Sequence, residues 1–199
     1  EHMFAHAHDP ELGFQPKKNP PERALYLSLL RRGGIHREEK GEWVIAPPLE
    51  GEDKLRLSGA LNALRTRLSK DSGRVPLTDV YQLLADRPFG VRRGLSPLLL
   101  AITLVAEGHR IALFERGTYC TRIDGAAFMR IVKSPEHFAL QWVSLEGVRA
   151  DLFHRLAVLL ERQPQESGIR LVVDPLIRFG AGLPFHVQHS TALSETARN

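Results

Sequence analysis

Residues 88–120 read PFGVRRGLSPLLLAITLVAEGHRIALFERGTYC, and the rest of the chain is organised around this stretch. It predicts a helix over 95–107, because Ser96 is a favoured cap and Pro97 is tolerated in a first turn. Gly108 ends that helix. The helix carries apolar residues on every side, and a helix that is apolar all round is buried. The stretch therefore predicts a central core helix.

The elements on both sides of this helix have a recognisable order. A shorter helix over 79–86 precedes it, and a glycine-containing turn joins the two. Two strands, 110–115 and 118–123, then flank Arg116-Gly117, a two-residue connection compatible with a tight hairpin turn. Two helices joined by a short turn and followed by a hairpin have the order of a winged helix-turn-helix, with the hairpin as its wing.

The chain before residue 75 predicts an arm and a lead-in subdomain. Residues 1–20 mix histidine, proline and charge without helical or strand periodicity, so we expect an irregular N-terminal arm. Residues 21–74 predict a helix that starts after an Asn19 cap, a short strand over 41–46 and an amphipathic helix over 55–68.

Downstream, residues 75–145 complete the winged-helix-like domain with a short helix that begins at Asp124 and an extended segment over 138–143. Residues 146–199 predict a C-terminal helical segment, with a helix over 148–161 and a linker over 163–168. The chain is expected to stop inside an element, so the C-terminal segment is predicted to be truncated. The predicted fold class is α+β and mostly helical, with a winged helix-turn-helix-like core, flanking helices and short β-hairpins.

Composition limits the class of protein. Of the 199 residues, 43% are hydrophobic and 25% charged, which is ordinary for a globular chain. The single cysteine excludes an intramolecular disulfide and suits a reducing compartment, so a cytoplasmic location is expected. No apolar run is long enough to span a bilayer. A formal net charge of +4 permits a polyanionic partner without requiring one.

The turn before the central helix is the main candidate functional site. Arg92 and Arg93 supply two guanidinium groups, and Ser96 marks a helix start whose N–H groups and dipole favour an anion. In a nucleic-acid complex this turn would hold a backbone phosphate without reading bases. The strands and wing add further candidate backbone contacts, namely Arg110, Arg116 and Arg122. The alternative is that these arginines are solvated and pair with nearby carboxylates.

Other kinds of site are not indicated. The central helix has no Arg, Asn or Gln to reach base edges. We find no phosphate-binding glycine loop, dinucleotide fingerprint or spaced carboxylate pair, and Cys120 is expected to be a small buried hydrophobe. The histidines at 2, 6 and 8, and those at 186 and 189, lack the further ligands that a metal needs. We therefore expect no catalysis, metal or cofactor.

A series of short motifs between residues 75 and 138 supports a family resemblance. They are PFG at 88–90, Gly94, LLLA at 98–101, ALFERGT at 112–118 and SPEHF at 134–138. In this order they resemble a segment C-terminal to the P-loop ATPase module of large bacterial ATP-binding proteins, several of them linked to antiviral defence of the phage-exclusion kind. The upstream pattern that ends EWVIAPP is similar as well. The resemblance implies membership of a multidomain machine and carries over no catalytic residue.

Two functions from different classes follow from these observations. The first is a non-catalytic winged-helix-type module of a larger bacterial antiviral ATPase, which binds the backbone of DNA or RNA non-specifically through residues 92–96 and the wing. The second is a protein–protein interaction or oligomerisation scaffold whose partners are sister domains or subunits, as the apolar helix and modest net charge indicate. No membrane partner is expected.

Overall fold

The computed structural model describes residues 2–15, 17–71, 73–144, 151–152, 155–156, 158 and 169–188. The chain divides into two compact units, residues 1–144 and residues 145–199. The fold is mixed α+β, with two small sheets. None of the helices in the described part of the chain has the length and hydrophobicity needed to cross a bilayer.

The elements of the first unit alternate between short helices and short strands. In chain order they are α1 (His2–Ala5), a 3₁₀ turn (Pro10–Gly13), α2 (Pro21–Leu25), a π-helical segment (Tyr26–Arg31), β1 (His36–Glu39), β2 (Glu42–Ile45), α3 (Ser58–Lys70), β3 (Val75–Pro76), α4 (Leu77–Ala85), α5 (Ser96–Ala106), β4 (Ile111–Glu115), β5 (Thr118–Tyr119), α6 (Gly125–Lys133), a second 3₁₀ turn (Pro135–His137) and β6 (Phe138–Trp142).

The second unit contains α7 (Ile169–Gly182) and α8 (Phe185–Gln188) among its described residues. Several large apolar side chains of these two helices are exposed, including Phe179 and Phe185. The helix predicted over 148–161 falls largely outside the described residues, and the linker predicted over 163–168 falls wholly outside them.

The larger sheet is antiparallel, with the strand order β3-β6-β4-β5. Strand β4 pairs with β6 along its whole length, from Ile111 opposite Trp142 to Glu115 opposite Phe138. It pairs with β5 at only two positions next to the turn. The second strand of the hairpin, expected over 118–123, is therefore shorter than predicted, and the main antiparallel partner of β4 is β6.

The prediction that the central helix is buried is confirmed. Seven of the eleven residues of α5 are buried, and the helix packs against α1, α3, α4 and β2. Its buried threonine is satisfied, because the Thr103 hydroxyl donates to the Leu99 carbonyl at 3.0 Å. The predicted cap lies one residue away from the observed one: Leu95 occupies the cap position and Ser96 is the first helical residue.

The segment expected to be an irregular arm is instead part of the core. Residues 2–15, which we call the strap, contribute Met3, Leu12 and Phe14 to the cluster of buried side chains. The Glu11 carboxylate pairs with Arg23 at 3.0 Å and with Arg31 at 2.6 Å, which fixes the strap to α2 and the π-helical segment. The strap packs across several elements and contains only a four-residue helix and a four-residue 3₁₀ turn. Because neither is long enough to repeat a pattern, the strap shows no periodicity in sequence.

Candidate nucleic-acid interface

The turn before α5 presents two exposed arginines, Arg92 and Arg93. The turn is closed through its backbone, because the Arg92 carbonyl accepts hydrogen bonds from the N–H groups of Leu95 at 2.8 Å and Ser96 at 3.3 Å. Neither arginine forms an ion pair with another described residue. Their charges are therefore available to an anion from solvent.

Ser96 does not belong to this surface. It is only 2% exposed, and it begins a helix whose following turns are core. A hydroxyl of a residue buried to this extent cannot meet a phosphate that arrives from solvent. The burial of Ser96 therefore does not favour the contact predicted there, and the exposed candidates are the arginines.

The turn of the β4–β5 hairpin has the conformation that a two-residue connection requires. Arg116 has φ of 49° and Gly117 has φ of 83°, so both lie in the left-handed region used by type I′ turns. The Arg116 N–H donates to the His137 carbonyl at 2.7 Å, which holds the turn against the segment before β6. The Arg116 side chain is exposed. The predicted turn is confirmed, and its arginine faces solvent.

One functional candidate escaped sequence reasoning. Arg74, just before β3, places its guanidinium carbon 3.7 Å from the centre of the Phe114 ring and donates from Nη1 to the Gly117 carbonyl at 3.2 Å. The contact joins residues 43 positions apart, and no spacing rule links them. Only the pairing of β3 and β4 with a common neighbour, β6, brings Arg74 to the β4–β5 hairpin.

The two remaining arginines are less available. The Arg122 side chain is 75% exposed, but its Nε lies 3.7 Å from the Asp124 carboxylate, which offsets part of its charge. That carboxylate also caps α6 by accepting a hydrogen bond from the Ala127 N–H at 2.9 Å, and this bond holds the pKa of Asp124 below its ordinary value. The guanidinium of Arg110 lies 5.9 Å from the centre of the Trp142 ring, at the outer limit of a cation–π contact.

The structure brings some of these arginines together and separates others. Arg74 reaches the hairpin turn that carries Arg116, because its guanidinium donates to the carbonyl of the next residue, Gly117. Arg92 and Arg110 flank opposite ends of α5, which is about 16 Å long at 1.5 Å per residue. The arginines therefore form at least two separate groups on the first unit.

Ion pairing further distinguishes the candidate arginines from several others. Among the described residues, Arg74, Arg92, Arg93, Arg110 and Arg116 form no ion pair. Six arginines outside the candidate set pair with Asp or Glu: Arg23, Arg31, Arg37, Arg65, Arg67 and Arg130. Pairing reduces the local positive charge even where it adds little stability. The unpaired set includes the two groups predicted at the turn and the wing.

An apolar cleft is the second notable surface feature of the first unit. It has a volume of about 190 Å³ and lies between the strap, α2 with the π-helical segment, α5 and α6. Leu25 lines the cleft and is 49% exposed, and Phe128 contributes from α6. Met129, 56% exposed, and Val132 extend the apolar surface along α6. Exposed apolar surface of this kind suits a protein partner.

The histidines of the strap take part in local hydrogen bonds. The Nδ1 of His6 lies 2.7 Å from the Asp9 carboxylate, that of His2 lies 3.0 Å from the Leu12 carbonyl, and that of His8 lies 3.1 Å from the Trp43 carbonyl. Within the described residues, no three His, Cys, Asp or Glu side chains are grouped closely enough to bind a metal ion. Cys120 is half-buried and packs against the core.

A scan against models of protein families, a search of curated proteins and a search of solved structures each find no match to this chain.

Proposed function

We propose that the chain is a non-catalytic, winged-helix-type module that binds the backbone of nucleic acids without sequence preference. The observation that carries the proposal is the exposure of Arg92 and Arg93 before α5 and of Arg116 on the wing, since none of these three pairs with a described carboxylate. Arginine is the side chain best suited to phosphate, because its planar fork can donate two parallel hydrogen bonds.

The order of elements supports the winged-helix part of the proposal. Helices α4 and α5 are joined by the glycine-containing connection 86–95 and are followed by the antiparallel hairpin β4–β5. In this arrangement the hairpin β4–β5 is the wing, and β6 pairs with β4 on its other side.

The burial of α5 supports binding without sequence preference. Sequence reading in the major groove needs polar side chains on an accessible helix. Most of α5 is core, and β2 and α1 pack against it. The arginines at its start can contact phosphates, which fix position but carry no direct sequence information.

The family resemblance supports a place for this module in a larger bacterial ATP-dependent machine of antiviral defence. The chain has no ATP-binding motif, so hydrolysis would belong to another part of that machine. The module would contribute contact with a nucleic acid. Such a division of roles agrees with function being carried by sites and not by fold alone.

The test is fluorescence anisotropy with a labelled duplex of random sequence at several salt concentrations. Binding should weaken as salt rises, with a slope of log affinity against log salt of about −0.9 for each phosphate neutralised. The double variant Arg92→Ala/Arg93→Ala should bind more weakly and show a shallower slope. Arg32→Ala/Lys70→Ala removes the same number of charges elsewhere and should bind like the wild type. Absent binding at low salt, or equal binding by the first double variant, would refute the proposal.

The apolar cleft favours a second candidate, a protein–protein interaction module. Leu25 is exposed and lines the cleft, and Met129 and Val132 are exposed apolar residues of α6, the helix that contributes Phe128 to the cleft. Light scattering over a range of concentrations would test this function. An oligomer that Leu25→Glu disrupts and Leu49→Glu leaves intact would support it, since Leu49 is a similarly exposed apolar residue that does not line the cleft. A monomer throughout would count against self-association.

A further inference from the structure

We infer that Arg74 is a phosphate contact of the wing, and that Arg74 and Arg116 together form a two-arginine tip that binds one stretch of phosphodiester backbone. The inference rests on the proposed nucleic-acid binding and adds to it a residue outside the hairpin. It also makes the wing, in addition to the turn before α5, a site of backbone contact.

The register of the sheet explains how Arg74 reaches the wing. On β6, Ala139 pairs with Pro76 of β3 on one side and with Phe114 of β4 on the other. Side chains two positions apart share a face of a strand, so Arg74 lies on the same face as Pro76 and Phe114. On that face, the β6 residue between Pro76 and Phe114 is Ala139. Its short side chain leaves room for the arginine to cross β6 and stack on Phe114.

The two contacts of Arg74 orient its guanidinium and leave donors free. Its carbon lies 3.7 Å from the Phe114 ring centre, and Nη1 donates to the Gly117 carbonyl at 3.2 Å. A guanidinium carries five N–H donors and can bind another acceptor along its open edge. Stacking on Phe114 already restricts the rotamers of Arg74. A phosphate that binds here therefore costs little additional side-chain entropy.

The turn that carries Arg116 is fixed from two sides. The Arg116 N–H donates to the His137 carbonyl at 2.7 Å, and the Gly117 carbonyl accepts from Arg74. The backbone at the tip is thus held while the Arg116 side chain remains exposed. Two unpaired arginines joined through adjacent turn residues concentrate positive charge at one point of the wing, where a phosphodiester carries the complementary charge.

The test measures the salt dependence of binding to the same random-sequence duplex for Arg74→Ala, Arg116→Ala and Arg74→Lys. Each alanine variant should reduce the magnitude of the slope by about 0.9 and weaken low-salt binding several-fold, since each removes one phosphate contact. Arg74→Lys keeps the charge, so it should retain the wild-type slope with weaker binding, because an ammonium cannot stack and fork in the same way. Arg32→Ala should match the wild type in both measurements.

The outcomes separate this inference from the proposed function. If Arg92→Ala/Arg93→Ala weakens binding and Arg74→Ala leaves the slope unchanged, the turn binds backbone and Arg74 has only a structural role, which overturns the inference alone. If the wild type does not bind at low salt, the proposed function fails and the inference fails with it. Thermal unfolding checks that each variant is folded, and Arg74→Gln provides a second neutral variant should Arg74→Ala not fold.

Discussion

The tyrosines Tyr26 and Tyr81 differ in whether their buried hydroxyls have a hydrogen-bond partner. The Tyr26 hydroxyl lies 3.1 Å from Nδ1 of His36. The Tyr81 hydroxyl is buried without a partner among the described residues, and burial raises the pKa of Tyr81 to about 12. A buried donor that is left unsatisfied bears the whole penalty of desolvation, so these two residues should respond in opposite ways to loss of the hydroxyl.

We predict that Tyr81→Phe stabilises the first unit by about 1 kcal/mol, because it removes an unpaired buried hydroxyl and keeps the ring. Tyr26→Phe is the matched control and should destabilise the unit by about 1 kcal/mol, because it leaves the His36 nitrogen without its donor. Urea unfolding followed by tryptophan fluorescence measures both changes. A loss of stability in Tyr81→Phe equal to that in Tyr26→Phe would show that the Tyr81 hydroxyl has a partner.

His36 makes the stability of the first unit depend on pH. The ring is buried, with Nε2 3.2 Å from the Ala7 carbonyl and Nδ1 at the Tyr26 hydroxyl, a pattern that a neutral ring satisfies with Nε2 as donor. Burial lowers the pKa of His36, and the nearby charge of Arg31 lowers it further. As the pH falls, His36 therefore becomes protonated in the unfolded chain at a higher pH than in the folded chain.

We predict that stability is full above about pH 6.5, the ordinary pKa of histidine, and falls as the pH decreases below it. His36→Gln should show a smaller loss between pH 7.5 and pH 5.5, since it removes this group and leaves the other histidines in place. The measurement is the urea midpoint at the two pH values. An equal loss in the wild type and the variant would mean that other groups set the pH dependence.

At the scale of elements, the strap depends on one carboxylate for much of its attachment. Glu11 accepts from Arg23 and Arg31, and the Arg23 hydrogen bond is the main reason that the pKa of Glu11 lies below its ordinary value. Its neighbour Leu12 is 1% exposed, so the attachment also keeps an apolar side chain in the core.

We predict that Glu11→Ala destabilises the first unit by about 1.5 kcal/mol, because it removes charge-assisted hydrogen bonds and leaves Arg23 largely buried with one partner fewer. Glu50→Ala, at an exposed loop position, should change stability by less than about 0.5 kcal/mol. Urea unfolding gives both values, and amide exchange in the strap should accelerate in Glu11→Ala only. Unchanged exchange in the strap would mean that its apolar contacts alone hold it.

The strap also marks the limit of what the sequence could predict. Helices α3, α4 and α5 were predictable because each repeats apolar residues with helical spacing or carries them on all sides. Strand β1 was missed because HREE has no apolar alternation, and it forms only by pairing with β2 across the turn at Lys40-Gly41. The contacts of the strap and of Arg74 depend on residues distant in sequence, so no local pattern could reveal them.

The same distinction applies to the candidate site. Arg92, Arg93 and Arg116 were predictable because turn chemistry places them on loops, where charged side chains are exposed. Ser96 was not, because whether the first residue of a helix faces solvent depends on which face the rest of the protein covers. Arg74 needed the strand order of the sheet. Local chemistry thus predicts which residues are candidates, and tertiary packing decides which of them can reach a ligand.

At the scale of the molecule, the sequence predicts a domain boundary between residues 74 and 75. In the structure, one cluster of buried side chains includes residues from both sides of that boundary. The cluster joins Tyr26 and Ile45 of the lead-in to Leu113 and Leu140 of the larger sheet. Trp43 stands on β2 and Trp142 on β6, and they are the only tryptophans in the chain. In variants that keep only one tryptophan, fluorescence can therefore report on each segment of the first unit separately.

We predict that residues 1–144 unfold as one cooperative unit. Ile45→Val trims the lead-in core and should lower stability by about 1 kcal/mol. It is placed in two backgrounds, Trp43→Phe and Trp142→Phe, so that one tryptophan reports in each. If the unit is two-state, the shift in free energy that Ile45→Val causes is the same whether Trp142 or Trp43 reports it, because all of its contacts are lost together. A shift reported by Trp43 alone would mean that the segments unfold separately, and residues 74 and 75 would then mark a domain boundary.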